Sequence, residues 1–387
     1  MKKIISTSAL ILALCSSLWA VDYNVTEFGA KADGMTLNTR SIQAAIDLAS
    51  ANGGGRVIVP AGGEFVTGSI YLKSNVDLHL EDGAVLLGSL NPWDYVKDSV
   101  IKWTAMIFAV QQDNISITGK GVIDNRGFEV ANRMVQYVHL GLFQDDLGLD
   151  RPQEANRPEI IHLFKCNNVT VKDVTLKDPA CWTQQYELCN KLTIEGIKVD
   201  AKAYWNNDGL DVVDCCDVIV RNCYIDSSDD AYCFKSHHVD GVSENVLVEN
   251  CIGRSSASGV KFGTLTKGVF RHFVFKDITI FDTFRSAINI ASVDEDAWRT
   301  CLLTVSRASI QATPSSFVSA HATPTATNPA CRISSKRTCT QKFPMANRMR
   351  ATSMKAPFPC PRETSAPVPS WVFPSTGSRT YASRTWR

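Results

Sequence analysis

Asn206-Asn207-Asp208-Gly209-Leu210-Asp211 is followed a short stretch later by Ser227-Ser228-Asp229-Asp230-Ala231. If chain segments at that spacing stack in register, Asp208 lies beside Asp229 and Asp230, and three carboxylates share one face. Repulsion among them raises at least one pKa and leaves a neutral acid beside ionised bases. Cleavage of a glycosidic bond asks for that pairing, one group to protonate the leaving oxygen and another to activate water. Asp and Asn beside Gly also form ordinary turns, so neither motif carries the reading alone.

The stacking follows from an internal repeat. A unit of Asn, alternating Val/Ile/Leu and a closing Asp, Asn or Gly recurs at Asn168-Val169-Thr170-Val171, Asn190-Lys191-Leu192-Thr193-Ile194 and Asp217-Val218-Ile219-Val220. It returns at Asn245-Val246-Leu247-Val248 and His272-Phe273-Val274-Phe275, with a weaker copy at Asn114-Ile115-Ser116-Ile117. Steps of about 23 to 28 residues fit one coil of a β-solenoid, with Val169, Val171 and Val174 inward and Thr170 and Lys172 toward solvent. A regular coil period disfavours the alternating strands of a β-sandwich. The fold class is therefore all-β. From Val57 to about Ile290 the chain has hardly any helical period. Before it, Thr36 to Gly55 predicts one amphipathic helix, with Asn38 or Thr39 as cap and Ile42, Ala45, Ile46 and Ala49 on one face, closing the first coil against edge pairing.

Lys+Arg 40 against Asp+Glu 39 leaves no excess positive field for nucleic acid or a membrane surface. Residues 1–20 read as an export signal, with Lys2 and Lys3, an apolar run and Ala20 at the cleavage point, so the mature protein is expected to be secreted or periplasmic, with no membrane in its mature form. Of the 13 cysteines, Cys166, Cys189, Cys215, Cys216, Cys223, Cys233 and Cys251 sit in or beside β-rich apolar runs and read as stacked interior thiols, with room for one or two bridges. No cysteine or histidine spacing suggests zinc, and neither a metal nor an organic cofactor is expected. The β-helix domain is placed at 21–297. Beyond it, 298–387 carries about ten Arg and about ten Pro but one acidic residue, Glu363, and one glycine, Gly377. Such a composition cannot continue a central ladder and reads as a shifted reading frame and a poorly ordered tail, with a genuine Pro/Ser/Thr-rich linker as the rival.

At the acidic motifs the chain resembles the polygalacturonase family, glycoside hydrolase family 28. The resemblance extends through Val25-Thr26-Glu27-Phe28-Gly29-Ala30, Gly53-Gly54-Gly55-Arg56-Val57, Arg157-Pro158-Glu159-Ile160-Ile161 and Trp182, and covers about residues 22–295. It implies a right-handed, single-stranded parallel β-helix of the pectin-lyase-like type and inverting hydrolysis of a pectic polysaccharide, galacturonan or rhamnogalacturonan, by a monomer. Asp229 would be the general acid, with Asp208 and Asp230 positioning and deprotonating water. The sequence departs from the family where its Gly-His-Gly aligns with Ser258-Gly259 and its Arg-Ile-Lys with Asn289-Ile290-Ala291. Lys235, Lys261, His237, His238 and Arg285 then stand as candidates for a differently placed anion site. Asn206 and Asp211 join them as substrate contacts, and Trp182, like Tyr204 and Trp205, could stack on a sugar face. Two rivals remain: a calcium-dependent polysaccharide lyase on the same solenoid, and a non-catalytic carbohydrate-binding β-helix.

Overall fold

Each repeat unit becomes three short strands separated by bends, and successive coils lie on one another in parallel. The computed structural model describes residues 21–292, together with the backbone of the strands Leu302–Gln311, Val318–Ala322 and Arg332–Lys336. One coil runs through Gln184–Glu187, Asn190–Glu195 and Lys198–Ala201, the next through Leu210–Val213, Cys216–Arg221 and Tyr224–Ser227, and the next through Tyr232–Ser236, Val242–Glu249 and Ile252–Ser255. Every pairing between named strands is parallel, and the coils form a right-handed parallel β-helix. The registers Asn167↔Asn190↔Cys216↔Glu244↔Arg271 give coil lengths of 23, 26, 28 and 27 residues, as the repeat predicts.

Alternation fixes which side chains enter the stack. Val169, Leu192, Val218, Val246 and Phe273 are aligned and buried, as are Val171, Ile194, Val220, Val248 and Phe275. Each such burial contributes about 1.5–3 kcal/mol against the conformational entropy of ordering the coil. The recurrent Asn has a local cause: the backbone is left-handed just before the alternating core residues of each strand, with φ 55° at Asn114, 57° at Asn168 and 57° at Asn245, where Asn is tolerated better than most residues. Its side chain then bonds the coil beneath, as Asn168 Nδ2 does to Asn114 Oδ1 at 2.8 Å and Asn245 Nδ2 to Asp217 Oδ1 at 2.9 Å.

The capping helix α1 spans Thr39–Ala51 and buries Ile42, Ala45, Ile46 and Ala49 over the first coil. Asn38 is its N-cap, but its side chain turns back to Lys31 and Thr36 and makes no capping bond. A second helix α2, Gly127–His139, corrects the expectation of a single one. Its buried stripe is short, Val130, Ala131 and Met134, and it starts after Arg126 in a left-handed conformation with no side-chain cap, so the usual start signal is missing.

Cys166, Cys189 and Cys215 stack inside successive coils as thiols, with the Cys189 N–H 3.3 Å from Cys215 Sγ; all cysteines among the described residues are free. The ladder also runs past the expected boundary near Trp298. Leu302–Gln311 pairs in parallel with Val269–Phe281, Val318–Ala322 with Ser286–Ser292, and Arg332–Lys336 with Leu302–Gln311. The export segment 1–20 and the rest of the 298–387 tail lie outside the described residues.

Candidate active site

One sheet of the helix is built from strands that include Glu159–Phe164, Gln184–Glu187, Leu210–Val213, Tyr232–Ser236 and Ser258–Thr266, and a cleft is lined by residues of the bends that precede them, among them Asn206, Asp229 and Ala257. Leu210 pairs with Tyr232 and Tyr232 with Val260, so the segments just before these strands stack as well. The Gly209 N–H donates to Asp230 O at 2.9 Å and the Asp229 N–H to Asn207 O at 3.3 Å, which sets Asp208 directly beneath Asp229 and Asp230. Asn207 locks the bend: its Nδ2 donates to Pro179 O and Cys181 O, and its Oδ1 accepts from the Tyr204 N–H. The three carboxylates proposed from the sequence are thus brought together, with oxygens of Asp208 and Asp230 and the Cys233 sulfur all within 4.8 Å of one another.

Two ammonium groups, one buried and one partly buried, divide the carboxylates. Lys235 Nζ is 3.0 Å from Asp208 Oδ2 and bonds Asp211 Oδ1 as well, while the Trp182 ring covers it at 3.4 Å. Lys261 Nζ is 2.7 Å from Asp230 Oδ2, and the Ser258 N–H reaches Asp230 Oδ1 at 3.1 Å. Asp229 has no ion pair among the described residues. Its Oδ1 accepts the Asp230 N–H at 3.0 Å, and the side chain lines a cleft of about 560 Å³ with Arg285, Arg151, Tyr204 and Trp205.

The sequence reading attributed the pKa shifts to repulsion; burial is the larger cause. It pushes Asp208 well above the usual carboxylate range, with Lys235 opposing and Asp211, Asp229 and Asp230 adding to the rise. Burial first and Asp230 second raise Asp229, against Lys261, Arg285 and Lys235. Burial also raises Asp211. It pulls the Lys235 and Lys261 ammonium groups down, but Asp208 and Asp211 outweigh it at Lys235, and Asp230 at Lys261, so both stay charged.

Several proposed substrate contacts sit elsewhere than expected. Lys235 and Lys261, with side chains 7% and 12% exposed, are spent on aspartates, because buried carboxylates demand partners. Trp182 is buried against Lys235 and Trp103, so it offers no open sugar platform. Asp211 is fully buried behind Asp208. His237 faces Glu187 at 3.6 Å, and His238 bonds that carboxylate at 2.7 Å. Asn206 and Arg285 do line the cleft.

Residues that sequence reasoning gave no role complete the site. Arg157 is 1% exposed and donates to Trp205 O at 2.7 Å, Asn206 Oδ1 at 2.8 Å, Ala180 O at 2.8 Å and Pro152 O at 3.0 Å, so it holds the cleft wall 204–206. Beside Lys235 lies a second buried network. His162 Nδ1 is 2.8 Å from Glu159 Oε2, off the hydrogen-bonding direction, and Gln185 Nε2 donates to Glu187 Oε2 at 2.9 Å. Burial, opposed by His162, pushes Glu159 up to about 7; burial lowers His162, but Glu159 and Glu187 carry it to about 9. Arg157 and Glu159 stand in the Arg-Pro-Glu run, which was the available signal; Glu187 had none.

The oxygens of Asp208 and Asp230 with Cys233 are close enough to gather a cation. Both carboxylates already face ammonium groups, however, and a buried thiol suits a hard, oxygen-seeking ion such as calcium poorly.

The fold is thus a parallel β-helix whose buried Asp208 and Asp230 lie beside a lateral cleft lined by Asp229. The chain matches the model of the glycosyl hydrolases family 28 over residues 50–297 and belongs to that family. It is 31% identical over 252 residues to an exo-poly-alpha-D-galacturonosidase of Dickeya chrysanthemi, covering 54% of this chain and 41% of that protein. A probable polygalacturonase of Vitis vinifera is 29% identical over 230 residues, 55% of this chain and 44% of the relative. The chain therefore spans less than half the length of these two relatives. Its fold also matches the crystal structure of a hyperthermoactive exopolygalacturonase from Thermotoga maritima, at 22% identity, TM-score 0.64, and coverage of 78% of this chain and 75% of that one.

Proposed function

We propose that the chain is an exported, monomeric glycoside hydrolase that cleaves a pectic polysaccharide of galacturonan or rhamnogalacturonan type with inversion. Asp229 donates a proton to the leaving oxygen, and water, losing its proton to Asp208 or Asp230, attacks the anomeric carbon. The observation that carries this reading is the unequal pairing of the carboxylates: Lys235 and Lys261 hold Asp208 and Asp230, while Asp229 faces the cleft with no ammonium partner and a raised pKa. A cleft-facing carboxyl raised by burial and without an ion pair among the described residues suits the proton donor, and carboxylates fixed by ammonium groups suit the acceptor. The Asp229→Asn variant tests it on a panel of pectic polymers: new reducing ends should fall by a factor of about 100 to 10,000. Proton NMR of the first-formed product reports the anomeric configuration. An equally active variant refutes the acid role, and a retained anomer refutes inversion.

A further inference from the structure

Asp230 is 1% exposed, and both of its oxygens are held by the following coil, Oδ1 by the Ser258 N–H at 3.1 Å and Oδ2 by Lys261 Nζ at 2.7 Å. Its backbone N–H donates to Asp229 Oδ1 at 3.0 Å, which holds the Asp229 carboxyl against the main chain of residue 230. Lys261 reaches this point from a strand whose register sets it beside Cys233, three residues past Asp230, so its stem crosses the sheet face toward the acid. Only 12% of its side chain is exposed, too little for a cation meant to meet a ligand. Lys235, on the same coil as Asp230, reaches back to Asp208 and Asp211 on the preceding coil and leaves Asp230 to Lys261.

We infer that Lys261 is a positioning residue rather than a substrate contact: its ammonium, with the Ser258 N–H, fixes the Asp230 carboxyl as a proton acceptor. This rests on the acid and base roles proposed above. Removing the charge should harm the chemical step more than binding, whereas losing a substrate anchor would chiefly raise KM.

The test compares Lys261→Met and Lys261→Arg in the full chain. The Met variant should lose about 100-fold in kcat with KM changed less than about threefold, as expected when a proton acceptor loses its setting. The acid limb of its kcat/KM profile should move to higher pH, while the Arg variant keeps the limb in place and recovers much of the rate. A raised KM with kcat and limb intact would make Lys261 a substrate anchor and overturn the inference. Equal losses in both variants with an unmoved limb would make it merely structural and overturn it too. A crystal structure of Lys261→Met gives a readout independent of turnover: the Asp230 carboxylate should leave its present orientation, and an unchanged Asp230 refutes the positioning role even if no pectic polymer proves to be a substrate. Failure of the acid assignment itself appears separately, as an active Asp229→Asn.

Discussion

Lys235→Met isolates the charge that the buried face of the site depends on. The substitution keeps the length of the stem but removes an ammonium group that is 7% exposed, lies 3.0 Å from Asp208, bonds Asp211 and sits under Trp182. Breaking a buried pair leaves an uncompensated charge and costs about 3–5 kcal/mol. The aromatic contact adds up to about 2 kcal/mol when desolvated, and it overlaps with the same loss. At about 2–4 °C per kcal/mol for a chain of this size, Tm near neutral pH should fall by about 10 °C. The effect has a pH signature. Burial raises Asp208 and Asp211 in the folded state, and a group so raised supports folding at low pH and loses that support as pH rises through its folded value. Without Lys235 nothing offsets that loss, so the penalty should be largest near neutral pH and shrink as pH falls toward about 3, below the ordinary Asp value of about 3.9, where most of the carboxyls carry protons in either state. Calorimetry or circular dichroism across that range checks it. A drop in Tm that is equal at both ends, or smaller than about 2 °C, would refute the claim that this ammonium balances buried carboxylates.

Arg157→Met should strand four acceptors, two of them on the wall 204–206, lowering stability by about 3–5 kcal/mol and cutting kcat/KM, with melting curves and kinetics as the measurements. The alkaline limb of activity should sit above the ordinary carboxylate range, because Asp229 must keep its proton and burial raises it; a limb in the ordinary range argues against its role as acid. Since Cys166, Cys189 and Cys215 are stacked free thiols, reducing agent should leave Tm unchanged, and Cys189→Ser should cost about 1–3 kcal/mol by burying a hydroxyl in an apolar stack. Reading the coding DNA across codons 293–303 tests the proposed frame shift, for which a one-base slip is expected; an intact frame leaves the tail as a genuine linker.

Coil length, the inward positions and the capping helix were legible because a solenoid repeats one short rule: the core alternates, the corner needs a left-handed residue, and the next coil copies both. The meeting of Asp208 with Asp229 and Asp230 followed from the same rule. Helix α2 was hidden because a helix lying across a solenoid buries only a narrow stripe, Val130, Ala131 and Met134. The side-chain partners were hidden for a different reason. Lys235 and Lys261 look like solvated lysines in the sequence, and only the register between neighbouring coils turns them inward onto aspartates. Trp182 likewise gains its role from Lys235, a residue two coils on, and Arg157 from carbonyls at 152, 180 and 205 that no local pattern connects. Composition placed a boundary near Trp298, yet backbone pairing continues beyond it, because a ladder needs peptide groups in register more than it needs a particular composition.

The account depends on Asp229 acting as a proton donor in a cleft that receives a pectic chain. The most direct measurement is reducing-end release from galacturonan and rhamnogalacturonan by the full chain and by its Asp229→Asn variant, with melting curves to show that both are folded. The account predicts release by the parent on at least one polymer and a loss of about 100-fold or more in the variant. Undiminished release by folded Asp229→Asn, or no release by a folded parent on any pectic polymer, would contradict it.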